Sequence, residues 1–141
     1  MTLGHTKNVD ILISDPATGK MIRLEVKTSL KEKEDKPHQS KLFGRYVSDW
    51  IMGAKHEKIF AHNLFYCFVT ITNPGNSFRF YIIPSKTVAD YIKMEHQYWL
   101  QNTKTGKEST MRLFRIGFKD EKYFVPTPSI ERYENNWRFR K

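Results

Sequence analysis

The sequence predicts one α/β domain in which hairpins and helices are wrapped around a mixed β-sheet. Short runs rich in β-branched and aromatic residues recur along the chain, each bounded by Gly, Pro, Asn or Asp. Two longer stretches space their apolar residues at helical intervals instead. The chain has 141 residues, 39% of them apolar. At that length folding buries roughly 68% of the unfolded surface, enough for one core without disulfides or structural metal. The element order β-β-α-β-β-α-β-β-α then argues for an α/β or α+β sandwich.

Asn8 to Ser14 and Met21 to Thr28 read as strands of a hairpin, with Asp15-Pro16 opening the turn and Gly19 supplying a positive φ. Ser29 to Gln39 is polar and charged and reads as a loop. From Lys41 to Lys55 the apolar positions Leu42, Phe43, Tyr46, Val47, Trp50, Ile51 and Ala54 trace one helical stripe, with Ser40 as its N-cap. Leu64 to Thr72 and Phe78 to Ile83 form a second hairpin across the loop Asn73 to Ser77, and the first of these strands is apolar enough to be central. Ser85 caps a helix running to about Leu100, with Val88, Tyr91, Ile92, Glu95 and Trp99 near one face. A polar exit over Asn102 to Thr110 leads to strands at Met111 to Phe118 and Tyr123 to Val125, and Ile130 to Trp137 closes the chain as a short helix.

The 24 Lys and Arg against 15 Asp and Glu leave a net charge of +9, and a field of that sign attracts polyanions such as nucleic acid. Both signs are interspersed, so the charge describes a globular face and not a basic tail. Apolar runs fall far short of the roughly 18 residues of a membrane helix, so no membrane partner is expected. Cys67 is alone, and residues 1–7 lack the apolar stretch of a signal peptide, which points to a reducing cytoplasmic compartment.

The first hairpin concentrates the chemistry. If its turn centres between Ala17 and Thr18, cross-strand partners sum to 35, which pairs Ile13 with Ile22, Ile11 with Leu24 and Val9 with Val26 on one aliphatic face. The same register sets Asp10 opposite Glu25 on the other face, with Arg23 and Lys27 beside Glu25. Opposed carboxylates on a sheet repel, and a hard divalent cation between them would turn that cost into a site. Lys27 could then stabilise charge or help activate a metal-bound water. From spacing alone, the same residues read equally well as a solvated salt-bridge ladder.

Residues Asn8-Val9-Asp10-Ile11-Leu12-Ile13, a Gly-containing turn, and Ile22-Arg23-Leu24-Glu25-Val26-Lys27-Thr28-Ser29 resemble the D…ExK core of the PD-(D/E)xK nuclease superfamily, which includes restriction endonucleases and Holliday junction resolvases. The resemblance implies a restriction endonuclease-like mixed β-sheet flanked by helices. Val9 stands at the name-giving Pro position, and with nine residues ahead of Asp10 the family's usual first helix is missing. It also implies Mg²⁺, or Mn²⁺ in its place, held by Asp10, Glu25 and the main-chain carbonyl of Val26, with Lys27 positioning the attacking water. DNA would be the partner, cut by phosphodiester hydrolysis. By analogy with resolvases the chain would be a homodimer, or else part of a larger protein. The alternatives are a non-catalytic nucleic-acid-binding module on the same scaffold, and an interaction domain whose charge serves solubility.

Lys31, Lys33, Lys36 and Lys41 follow Lys27 closely and are expected to contact phosphates. His56-Glu57 and His62 lack the H-E-x-x-H spacing and read as surface histidines, and with one Cys no zinc finger can form. No P-loop exists, and Cys67 inside an apolar strand reads as a packed hydrophobe. Trp50, Tyr98 and Trp99 read as core. Residues 137–141 mix aromatic and basic side chains, suited either to stacking with phosphate contact or to a frayed end.

Overall fold

A computed structural model describes residues 10–33, 36–72, 77–104 and 108–141. The chain is mixed α/β and rich in strand. In order it forms β1 (Ile11–Ser14), β2 (Met21–Lys31), β3 (His38–Ser40), β4 (Gly44–Tyr46), β5 (Ser48–Gly53), a 3-10 turn (Ala54–Glu57), β6 (Leu64–Thr72), β7 (Ser77–Pro84), α1 (Ser85–Asn102), β8 (Met111–Ile116) and α2 (Ile130–Tyr133). The expected loops at Asn73 to Asn76 and Thr105 to Lys107, and the strand residues Asn8 and Val9, lie outside the described residues.

The main sheet runs β1-β2-β6-β7, with β1 antiparallel to β2, β2 parallel to β6, and β6 antiparallel to β7. β3 pairs with β4, and β5 pairs with β8, as separate two-stranded ribbons. β6 is central as its sequence predicts, with side chains packed on both faces. Tyr66 and Phe68 enter the larger core beside Trp50, Tyr81, Ile83, Val88, Tyr91, Ile92, Phe114 and Ile116. Phe65, Cys67 and Val69 enter a smaller core with Leu24 and Ile82, against which Phe139 packs. Trp50 anchors the larger one: its ring lies 4.9 Å from Phe68 and 5.9 Å from Tyr81, and its indole N–H donates to the Val69 carbonyl at 3.1 Å.

Several expectations fail for identifiable reasons. Residues 41–55 form no helix. Gly44 sits at φ +76°, a conformation that breaks a helix, and beyond it Ser48, Trp50 and Met52 point inward with period two while Ile51 is exposed. The spacing i, i+4, i+8 fits both periods, and the choice is made by β8, 58 to 68 residues downstream, whose Ile116 to Met111 pair with Ser48 to Gly53. Ser40 closes a turn, its Oγ accepting the Phe43 N–H at 3.2 Å. Ser85 does not cap α1 either; its Oγ takes the Ala61 N–H and donates to the Ala61 carbonyl, both at 3.0 Å, pinning the loop ahead of β6. The expected loop from Ser29 is shortened, because β2 continues to Lys31 and β3 starts at His38.

Near the C-terminus β8 stops at Ile116, and 123–125 is no strand. Tyr123 is instead committed sideways: its hydroxyl accepts the Phe118 N–H at 2.9 Å and donates to the Arg45 carbonyl at 2.6 Å. Gly117 makes room for it, since a Cβ there would lie 2.2 Å from that hydroxyl oxygen. α2 covers only Ile130–Tyr133 because Asn135 turns to φ 54°. No described helix is long and apolar enough to cross a membrane. Replacing Trp50 by Ala is expected to cost about 3–5 kcal/mol, as for other large aromatic truncations in a core, read as a lowered urea midpoint with an unchanged slope.

Candidate functional site

The hairpin register is the one the sequence predicts: Ile11 faces Leu24, Leu12 faces Arg23, Ile13 faces Ile22 and Ser14 faces Met21. Asp15 fixes the turn, accepting the Ala17 N–H at 2.9 Å and the Thr18 hydroxyl at 3.0 Å, and Gly19 takes φ +70°. The ladder changes at Asp10. Its N–H donates to the Leu24 carbonyl at 2.8 Å, one residue off the register, and its Oδ2 accepts the Val26 N–H at 2.7 Å. The carboxylate therefore lies at the edge of β2, against Val26's amide, and does not stand directly across from Glu25. A strand residue aims its N–H and C=O to the same side, so the Val26 carbonyl points to the edge that Asp10 occupies.

Glu25 is not on an open face. Alternation along β2 turns it toward the larger core, where it is 7% exposed. Its Oε1 lies 3.1 Å from the Lys27 ammonium, while Oε2 is buried and has no hydrogen-bond partner among the described residues. A buried carboxylate is costly unless paired, so a solvated salt-bridge ladder does not describe this arrangement. The parallel pairing sets Tyr66 beside Glu25 and Phe68 beside Lys27. Burial first, then the Glu25 charge and a side-chain hydrogen-bond interaction with Glu25, push the Tyr66 phenol well above its ordinary value, so the Tyr66 hydroxyl lies close to the Glu25 carboxylate. Tyr66 in turn is hydrogen-bonded to Nδ1 of His56 at 2.9 Å.

His56 corrects the expectation of a surface histidine: it is 2% exposed, whereas His62 is exposed as expected. Burial lowers the His56 pKa, the Glu25 carboxylate partly offsets that, and the Lys27 and Lys55 charges lower it further. Tyr66 and His56 are the members of this cluster that sequence reasoning misses. Tyr66 reads as core in an apolar run, and only the parallel alignment of β2 with β6 sets it beside Glu25.

The four loop lysines separate. Lys31 is 8% exposed and its ammonium donates to the Val47 carbonyl at 2.5 Å, so it is a structural group and not an outward phosphate contact. Lys33 and Lys36 are exposed and border a cleft of about 330 Å³ that Lys31, Glu32, Pro37 and His38 also line. Lys41 is exposed on the following turn, outside that cleft. Cys67 is buried, and burial pushes its thiol up to about 11, which leaves it without nucleophilic character near neutral pH.

No family model, curated protein or solved structure matches the chain.

The donors at the hairpin are all oxygen: the Asp10 carboxylate, Glu25 Oε2 and the Val26 carbonyl. Such a set suits Mg²⁺ or Mn²⁺ better than zinc, and the buried, unpartnered Oε2 is the observation that favours a cation. Among the described residues no group of three or more His, Cys, Asp or Glu converges. A cation here would be held by two carboxylates and one carbonyl, with water completing its shell.

Two outcomes follow from the geometry behind Glu25. Tyr66→Phe strands the buried His56 Nδ1 and is expected to cost about 1–3 kcal/mol in chemical denaturation. Because the folded His56 pKa is depressed below its ordinary 6.5, the unfolded chain binds this proton more readily. Its contribution is fully present above pH 6.5 and is lost as pH falls through the folded pKa. Urea midpoints measured between about pH 5 and 8 should show that loss, and His56→Gln should flatten it.

Proposed function

We propose that this chain is a Mg²⁺-dependent nuclease, with Mn²⁺ able to substitute, that hydrolyses phosphodiester bonds in DNA on the PD-(D/E)xK plan, within a restriction endonuclease-like sheet. The observation that carries this reading is the Glu25 carboxylate, buried on the core face, with one oxygen paired to Lys27 and the other unpartnered. At the edge of the same strand the Asp10 carboxylate is fixed by the Val26 amide and makes no other hydrogen bond among the described residues. The mixed sheet and the ExK spacing on β2 agree with that plan.

A bound cation would supply a water of lowered pKa and neutralise charge on the phosphate. The chain's own residues do the rest. Asp10 and Glu25 hold two fixed negative charges, with the Val26 amide orienting the first and Lys27 the second. The Lys27 ammonium is a donor that can hold the attacking water in line. The +9 charge draws in the polyanion, and Lys33, Lys36 and Lys41 take phosphates of the flanking strand.

Asp10→Asn is expected to lower DNA cleavage in Mg²⁺ by about 100-fold or more, the scale of losing a group that stabilises the transition state. Far-UV circular dichroism should be unchanged. Lys27→Ala should do the same, though it leaves Glu25 without its cation and calls for the same check of folding. Cleavage that survives both changes removes this site. In duplex DNA binding, neutralising Lys33, Lys36 and Lys41 should flatten the log–log salt slope by about 0.9 for each phosphate released. A second reading, a non-catalytic nucleic-acid-binding module, is favoured by the Lys27 ammonium, which already satisfies Glu25 Oε1. It predicts a salt-sensitive gel shift with no cleavage in either metal.

A further inference from the structure

Residues 137–141 take no part in the Asp10 and Glu25 site, yet they are not a frayed end. The buried Asn136 side chain ties them down, donating to the carbonyls of Ile82 at 3.1 Å and Arg140 at 2.8 Å and accepting the Arg140 N–H at 3.1 Å. Phe139 sits at φ 54°, a region that bulky side chains rarely adopt. Held that way, its ring lies 5.4 Å from Phe65 at an angle of 68°. Such constrained backbone accumulates where a side chain must be presented in one place.

What it presents is one wall of a cleft of about 520 Å³ between the start of β2 and the loop ahead of β6, a size typical of small-molecule sites. The half-buried Phe139 and the exposed Met21 supply apolar surface there. Lys20, His62, Arg138 and Lys141 supply the cationic rim, and no carboxylate side chain lines it among the described residues. By contrast Lys27, Arg45, Arg79, Lys86, Arg112 and Arg115, outside the cleft, each face a carboxylate. Lys20, Arg138 and Lys141 form no salt bridge within the described residues. Cations around a concave apolar surface focus anions, and an aromatic face beside them suits a base.

We propose that this cleft binds a single phosphorylated nucleotide, its phosphate on Lys20 and Arg138 and its base against Phe139 and Met21. The nucleotide is either free or the phosphorylated end of a strand. The cleft is not the cutting site. Ile22, which lines it, and Glu25 point to opposite faces of β2, so binding here stands whether or not the chain cleaves DNA.

The test is calorimetry on the whole chain in EDTA, which silences metal-dependent cleavage, with AMP, adenosine, inorganic phosphate, and a short oligonucleotide with and without a 5′-phosphate. AMP is expected to bind about tenfold or more tighter than either adenosine or phosphate, since both halves of the cleft are then used. Arg138→Ala and Lys20→Ala should each weaken AMP about tenfold, the scale of a charge-assisted contact, while Lys86→Ala on α1 should leave it unchanged. Lys20 lies outside the C-terminal segment, so its variant tests the cleft even if changes near Arg138 loosen that segment. If the phosphorylated oligonucleotide displaces AMP and its unphosphorylated twin does not, the ligand is a strand end. If AMP alone binds, it is a free nucleotide. Equal binding of AMP and phosphate, or wild-type affinity in both Arg138→Ala and Lys20→Ala, overturns the proposal.

Discussion

The parallel pairing of β2 with β6 governs this molecule. Its register runs from Arg23 beside Leu64 to Lys31 beside Thr72. Parallel neighbours cannot be joined by a tight turn and need a long crossover. Here the crossover is not a helix but β3, β4, β5 and the 3-10 turn, and it delivers Trp50 and His56 to the core face of the sheet. Everything that surrounds Glu25 comes from that arrangement. Tyr66 arrives by the register, and His56 reaches Tyr66 from the end of the crossover. A slip of one residue would turn Glu25 into the smaller core and Leu24 into the larger one.

The larger core shelters several charges at its margins. Glu25 with Lys27, Glu95 with Arg115, and Glu57 with Arg112 all lie at least partly within it, and Lys31 ends on a backbone carbonyl. Buried ion pairs add little net stability, because desolvation offsets attraction. Arg115 shows how the cost is contained: its guanidinium bonds Glu95 at 2.8 Å and lies 4.0 Å over the Phe43 ring. Glu25 has Oε1 on Lys27 and Oε2 without a hydrogen-bond partner among the described residues, as Arg115 has at its Nε.

The parts legible in the sequence are those fixed by neighbours close in the chain. The hairpin register followed from the turn chemistry of Asp15 and Gly19, and β6 followed from its unbroken apolar run. Residues 41–55 misled because their apolar spacing serves two periods, and the strand that decides between them lies beyond α1. In the site, Glu25 and Lys27 could be set on one face by alternation alone. Asp10 could not be placed as finely, because its carboxylate bonds the Val26 amide and takes its N–H off register. The burial of Glu25 and of His56 depended on which face the crossover covers, and local pattern carries no record of that.

The tie between Tyr123 and the Arg45 carbonyl joins segments 78 residues apart in the chain. Together with a parallel pair whose strands are 41 residues apart at Arg23 and Leu64, it sets long loop closures ahead of the contacts that reward them. During synthesis the first hairpin emerges with Ile11 and Leu12 exposed and no strand to receive β2 until β6 has been made. The Asp10 and Glu25 carboxylates are therefore brought into their final setting late. A nascent or truncated chain holds the sequence of the site without its surroundings.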